Sequence, residues 1–447
     1  MSATARFITL TCLVFTLSAI VFAQKTDPEA HTAVAGSVAK FATKAPMNVH
    51  RFEPGQLTID SGTVLDATTG MVVGSAGSGK SNLQTNSATT QSMVPIATFD
   101  GSFVAQGGPS AGRVFPFTMI GSQPSAGGTT TVSAPISEIS LTLLNADGSV
   151  LTTVPFDPFE AATLQSPNFN STNYRSGDGI QFADAVQRAE FFNTMASDWH
   201  TALQPSVVNR VNIVVPRFVN VQLSPGHVIQ ARSYFIGTAA DGQTFVLMLN
   251  LVFNFFFDNE VNNEINAGNF TTDALNMTLF PNTYLFALNA NKPNTPGSCC
   301  VLGFHTFFFD PNSSPTTRWV TQYASWISPG LFGGGFLDVT GLSHETSEAF
   351  NDPFLNNVVP RWQFPGVSAP ALSKASRVCQ GNLETGDPIE GLPNATVPIT
   401  LNSFTYHPQT EALLQWFEMG PSSNAIDGAF SFPDETALTQ SAVPCPK

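Results

Sequence analysis

The stretch Leu342-Ser343-His344-Glu345-Thr346-Ser347-Glu348-Ala349-Phe350-Asn351-Asp352-Pro353 decides how the C-terminal part of this chain is read. It predicts a helix from about Asp338, placed as N-cap, to Asn351. Leu342 and Ala349 supply an apolar stripe, and Pro353 ends the helix. His344 and Glu348 are one turn apart and share a face, with Glu345 beside them. Asp352 adds another carboxylate where the proline bends the chain away. An imidazole and two or three carboxylates on one stripe suit a divalent cation. His344 and Glu348 would hold it, and Glu345 would act on a bound water. The pattern parallels the zinc-peptidase helix H-E-x-x-H with Glu in place of the second His. The plainer alternative is a solvated acidic helix face, since the motif fixes only three positions.

Charge around this helix is one-sided. Between Trp319 and Pro360 there is no Lys or Arg, yet Asp338, Glu345, Glu348 and Asp352 all fall there. The whole chain is poor in charge: 447 residues carry 18 Lys+Arg and 32 Asp+Glu, or 11%, against about 25% in ordinary globular proteins. With 42% hydrophobic residues and 38 Phe it still has ample material for a core. A net charge of −14 and the lack of any Lys/Arg cluster argue against a nucleic-acid partner.

The N-terminus has Arg6, an apolar run from Phe7 to Phe22, and Ala23 before Gln24. It reads as a secretory signal peptide (residues 1–23), which places the protein outside the cell or in the periplasm. No membrane span is expected after cleavage, because the apolar stretch 245–257 is short and carries Asn250 and Asn254. Four cysteines then remain: Cys299, Cys300, Cys379 and Cys445. An even number in an exported chain implies disulfides. A vicinal Cys299–Cys300 bridge is set aside as strained. That leaves 299–379 with 300–445, or 299–445 with 300–379.

The expected fold class is α+β, with an N-terminal β-sandwich-like region and a C-terminal α+β domain that its His344–Glu348 helix makes similar to zincins. Residues 24–93, rich in Ala, Ser, Thr and Gly, read as a loosely ordered leader or pro-segment. Residues 94–156 read as the sandwich, because two β-rich runs flank the turn signal Asn145-Ala146-Asp147-Gly148. Residues 157–292 form a mixed region: a helix after Asp178 with Phe182, Val186, Ala189 and Phe192 on one face, then strand-like runs. Residues 245–265 fit strand or helix equally. Residues 293–447 form the disulfide-tied domain, with a last helix over 411–418.

Two motifs match on paper only. Gly74-Ser-Ala-Gly-Ser-Gly79-Lys80-Ser81 has the phosphate-loop pattern, but no apolar helical face follows it, so no nucleotide is expected. Gly108-Pro109-Ser110-Ala111-Gly112 has the nucleophile-elbow pattern but runs into a proline-containing strand rather than a helix.

The segment from Leu342 to Pro353, followed by Asn356-Asn357 and Pro360-Arg361-Trp362, resembles a group of exported bacterial zincin-like proteins with an S-H-E-x-x-E-x-x-x-D-P signature. The element Glu384-Thr385-Gly386-Asp387, the run Cys299-Cys300-Val301-Leu302-Gly303-Phe304-His305 and the Tyr406-His407…Trp416-Phe417 ending extend the likeness over roughly residues 94–447. A fainter likeness is to plant phosphate-induced (Exordium-like) secreted proteins, which generally lack the His-Glu pair. The resemblance implies that Glu384 or Asp387 completes the metal's ligands. His305 competes for that role, or is a satisfied histidine packed near the disulfides. Asp352 is either a further ligand or a helix stop whose carboxylate binds backbone amides. Zinc is the favoured ion, with calcium or manganese open because carboxylates suit harder cations. Together these readings point to a metal-dependent hydrolase acting on an extracellular peptide or polymer. The rival is a non-catalytic secreted binding or cell-surface protein with a structural cation or none.

Overall fold

The computed structural model describes residues 26–35, 40–42, 44–49, 57–75, 94–174, 179–314, 316–333, 335–365 and 379–445. The signal-peptide stretch, Gly79-Lys80-Ser81 of the phosphate-loop match, and Asp178 lie outside them.

Strands dominate. Helix α1 (Pro28–Ala35) precedes β1 (Met47–Asn48), β2 (Thr63–Asp66) and β3 (Val72–Ser75). A hairpin of β4 (Thr98–Val104) and β5 (Val114–Ile120) follows, then β6 (Thr129–Leu144) and β7 (Val150–Val154). Helices α2 (Asp157–Leu164) and α3 (Phe182–Glu190) lead to β8 (His200–Val215), β9 (Phe218–Ser224) and β10 (His227–Arg232). Next come β11 (Tyr234–Thr238), β12 (Thr244–Leu249) and α4 (Asn250–Ala267). Strands β13 (Leu275–Phe280), β14 (Thr283–Leu288), β15 (Pro296–Val301), β16 (Gly303–Asp310) and β17 (Thr317–Ser325) precede α5 (Thr340–Asn351). Last in this series are β18 (Val358–Gln363) and β19 (Cys379–Asn382).

The central sheet has the order β1-β16-β17-β13-β6-β7, and β8 also pairs with β6. Strand β13 is buried at every position, as expected of a parallel strand covered on both faces. Alternation along β16 and β17 sorts the two covers. Phe304 and Tyr323 pack against Phe253 and Phe257 of α4. Their neighbours His305 and Gln322 are paired in register and face α5, where His305 meets Glu345 and Gln322 donates to Thr346. Helix α5 is buried along its whole length, which explains why its charged side chains are not on a solvated face. Its Leu342, Ala349 and Phe350 pack in one cluster with Ile136, Met277 and Val320 of the sheet.

The chain is rich in strands, and several finer expectations are corrected. Residues 94–156 do not close into a sandwich: β4 and β5 form a separate hairpin, while β6 and β7 belong to the central sheet. The hairpin turn itself forms, with Gly148 at φ 83° and Asn145 N–H donating to Ser149. A turn signal fixes its own two strands but says nothing of the parallel partners β8 and β13. The described parts of residues 24–93 are tied into the fold, β1 on β16 and β2 on β9. Strands of two to four residues leave no periodicity to read. Residues 245–265 are strand and then helix, surrounded by core on both elements. Helix α5 starts at Thr340 with Val339 as N-cap. Asp338 instead accepts from Val339 N–H and His407 N–H and binds the His407 ring at 2.7 Å. Only Leu414–Phe417 of the expected last helix is helical, because Glu411–Ala412 pairs as a strand with Ser431–Phe432.

The cysteine pairing is also corrected. The bridges are Cys299–Cys300, across a cis peptide with Cα atoms 3.1 Å apart, and Cys379–Cys445, with Cα atoms 6.0 Å apart. Cys379 and Cys445 meet because each flanks β18: Cys379 is in register with Gln363, and Cys445 N–H donates to Arg361. Among the described residues no helix is long and apolar enough to cross a membrane.

Candidate metal centre

Helix α5 delivers His344, Glu345 and Glu348 into the interior, all at most 3% exposed. Glu348 is the hub. Its Oε2 lies 3.1 Å from His344 Nε2 and 3.4 Å from His305 Nδ1. Its Oε1 accepts from Gly386 N–H at 3.1 Å. Ligand atoms about 2.1 Å from a tetrahedral ion lie roughly 3.4 Å from one another, so these separations are those of ligand neighbours.

The Glu384–Asp387 element arrives from the far side of His344. Asp387 Oδ1 is 3.9 Å from His344 Nε2, and its Oδ2 accepts from Gln380. Glu384 Oε2 lies 3.9 Å from His305 Nε2. Two sets of three residues therefore have ligand atoms within 4.8 Å of one another: His344, Glu348 and Asp387, and His305, Glu345 and Glu348. These groups, buried except for the partly exposed Asp387, can hold a metal ion.

Two glycines make the approach feasible. A Cβ on Gly386 would fall 2.2 Å from His344 Nδ1, and one on Gly303 would fall 2.7 Å from Glu345 Cγ. Any side chain at either position would displace a site residue. Gln409 holds the Gly386 carbonyl at 2.6 Å, and its own N–H donates to Ser343 on α5.

Electrostatics are unusual for a protein interior. Glu390 and Glu411 join Glu345, Glu348, Glu384 and Asp387 around the two imidazoles. Among the described residues no Lys or Arg pairs with Glu345, Glu348 or Asp387. Burial pushes the Glu345 carboxyl up to about 7, countered in part by His305. Burial, then the Glu348 charge, pushes Asp387 up to about 7. Burial also raises Glu384, Glu390 and Glu411 well above the usual range. Burial would raise Glu348 too, but His344 and His305 outweigh it and hold it well below. Burial would lower both imidazoles, and the carboxylates instead hold them well above their ordinary value. Crowded carboxyl groups must take up protons or share a cation.

His344 Nδ1, His305 Nε2 and Glu345 Oε1 make no hydrogen bond among the described residues, and His344 Nε2 has only the 3.1 Å contact to Glu348 Oε2, which is not aligned as one. Buried polar atoms without partners are rare. A cation beside His344 Nε2 would occupy its lone pair.

Asp352 stands apart from both sets: its Oδ1 accepts from Asn356 and Asn357 N–H at 2.9 and 3.0 Å, the helix-stop arrangement. The sequence leaves His305 open and does not single out Glu390 or Glu411. The place of His305 follows from the register of β16, and Glu390 lies one turn beyond Asp387. Glu411 gave no signal. Comparisons of the chain with family models, curated proteins and solved structures return no match.

Proposed function

We propose that the protein is a secreted, metal-dependent hydrolase of zincin-like type, most simply a peptidase. His344, Glu348 and Asp387 hold the ion, Glu345 is the general base, and His305 keeps Glu345 aligned. The observation that carries this reading is the arrival of Asp387 beside His344 and Glu348 from a separate loop. The His344 imidazole among the proposed ligands favours zinc over calcium. The two disulfides support an oxidising compartment.

Held by His344, Glu348 and Asp387, a zinc ion would supply Lewis-acid polarisation of a substrate carbonyl and would lower the pKa of a bound water to about 7. Glu345, next to His344 on α5, would take a proton from a water held there and pass it to the leaving amine. His305 Nδ1, 3.4 Å from Glu345 Oε2, fixes the carboxylate's direction. Gln380, donating to Asp387 Oδ2, leaves Oδ1 turned toward His344.

The complete burial of His344 and Glu345 favours one rival, a structural cation in a non-catalytic secreted protein. Metal content separates the two readings. Stoichiometric zinc lost in His344→Ala, with chelator-sensitive cleavage of casein abolished in Glu345→Gln, supports the hydrolase. Absence of transition metal, or calcium unaffected by His344→Ala, contradicts it.

A further inference from the structure

His344, Glu345 and Glu348 are buried, and part of the cover over His344 comes from an unexpected place. Phe41, from the stretch that reads as a leader or pro-segment, stacks on the imidazole of His344. The ring centroids are 3.7 Å apart and the planes 23° from parallel. It also stacks with Phe336, at 6.0 Å, and a Cβ at Gly341 in the first turn of α5 would come 3.5 Å from its Cε1. Phe41 N–H donates to Glu390 Oε1 at 2.6 Å. One residue thus covers a candidate ligand and occupies a carboxylate of the same cluster.

The flanking residues follow strand edges. Lys40 N–H donates to Cys300 and its carbonyl accepts from Leu302, while Ala42 N–H donates to Gly303. Strand β1 then adds to β16 as the outermost strand of the central sheet, Met47 opposite Phe308 and Asn48 opposite Phe309. Lys44 anchors the middle, 2.9 Å from Asp258 and over the rings of Phe257 and Phe304. Among the described residues these ties are all non-covalent, since the two disulfides join Cys299 to Cys300 and Cys379 to Cys445. An extended segment hydrogen-bonded along a sheet edge, with one aromatic side chain in a pocket, is how β-strand addition recognises a peptide.

Resting on the hydrolase reading, we propose that residues 40–42 and 44–49 are a built-in inhibitory strap. They fill the groove that an extended peptide takes once the strap is displaced, and Phe41 marks the position that selects an aromatic residue. The occupant is a peptide because the strap's contacts are chiefly backbone hydrogen bonds to β15 and β16, which any extended chain can make. The aromatic preference comes from the slot between Phe336 and His344. Displacing the strap removes Phe41 from His344 and frees the Glu390 carboxylate, without cutting any bond within the centre.

Two variants loosen the strap from different ends: Phe41→Ala at the centre and Lys44→Ala at the anchor, 44 lying outside the ligand cluster. With zinc loaded, both should lose metal to excess chelator about three- to tenfold faster than the parent, the range expected for one aromatic contact, and should cleave casein faster. A labelled decapeptide of the sequence of residues 40–49 should bind metal-free Phe41→Ala protein and not the parent. The same peptide with Ala in place of Phe should bind more weakly. Parental zinc-release and cleavage rates in both variants, or no peptide binding to Phe41→Ala, would overturn the strap. A protein that takes up no zinc, yet binds the decapeptide only as the variant, would overturn the metal reading and uphold the groove.

Discussion

Gly386 lies directly against the imidazole of His344: a Cβ there would come within 2.2 Å of Nδ1 and 2.4 Å of Cε1. The backbone of the Glu384–Asp387 element therefore acts as the wall on which His344 rests, while Gly386 N–H fixes Glu348. Gly386→Ala should push the ring or the loop away. We expect a loss of about 1–3 kcal/mol in stability from overpacking. Zinc affinity should fall about 10- to 100-fold, as when a ligand's support is removed. Denaturant midpoints and zinc titration of the variant check both. Unchanged zinc affinity would contradict the placement.

His305 separates orientation from ligation. It touches Glu345 and Glu348 but belongs to a different three-residue set from His344. His305→Gln should retain zinc and lower kcat by about 10- to 100-fold with little change in KM, whereas His344→Ala should lose the metal. Metal analysis beside steady-state kinetics tells them apart. Loss of zinc in His305→Gln would make His305 a ligand.

The two disulfides should differ in worth. Cys379 and Cys445 are 66 residues apart, whereas Cys299 and Cys300 enclose no loop. Restricting the unfolded chain is the main gain from a bridge, so the double substitution Cys379→Ser with Cys445→Ser should cost about 2–5 kcal/mol. Chemical denaturation of oxidised parent and double variant measures this. Equal midpoints would show that β18 and its neighbours hold without the bridge.

Glu260 gives a pH signature away from the centre. Its Oε1 accepts from Ser137 at 2.6 Å, and burial pushes the carboxyl up to about 8 from an ordinary value of 4.5. The folded chain thus holds this proton more tightly than the unfolded chain. The stabilising effect is complete below about pH 4.5 and is lost as pH rises through about 8. Glu260→Gln removes that loss. The variant should match the parent near pH 4 and exceed it by about 2–4 kcal/mol above pH 8. Parallel pH dependences for the two proteins would contradict it.

Much of the centre was legible because it is local. The spacing of His344, Glu345 and Glu348 needs only a helix, and Asn145 to Gly148 needs only a turn. Glu384 and Asp387 entered through resemblance, not through spacing. What escaped depends on distant pairing. His305 faces the centre because β16 pairs with β17 in a register that sets it opposite Gln322. Glu411 arrives on a two-residue strand, and Phe41 comes from a stretch without periodicity. The vicinal bridge was set aside on grounds of strain, and Cys379 finds Cys445 only through the chain paths on either side of β18. The burial of α5 follows from a sheet whose parallel strands no local pattern could pair.

The central claim is that His344, Glu348 and Asp387 hold one ion. Anomalous scattering at the zinc edge, from crystals of the zinc-loaded protein, tests it most directly. A peak is expected about 2.0–2.2 Å from His344 Nε2 and from carboxylate oxygens of Glu348 and Asp387. No peak within the cluster, or an ion bound elsewhere with His344 still unligated, would contradict it.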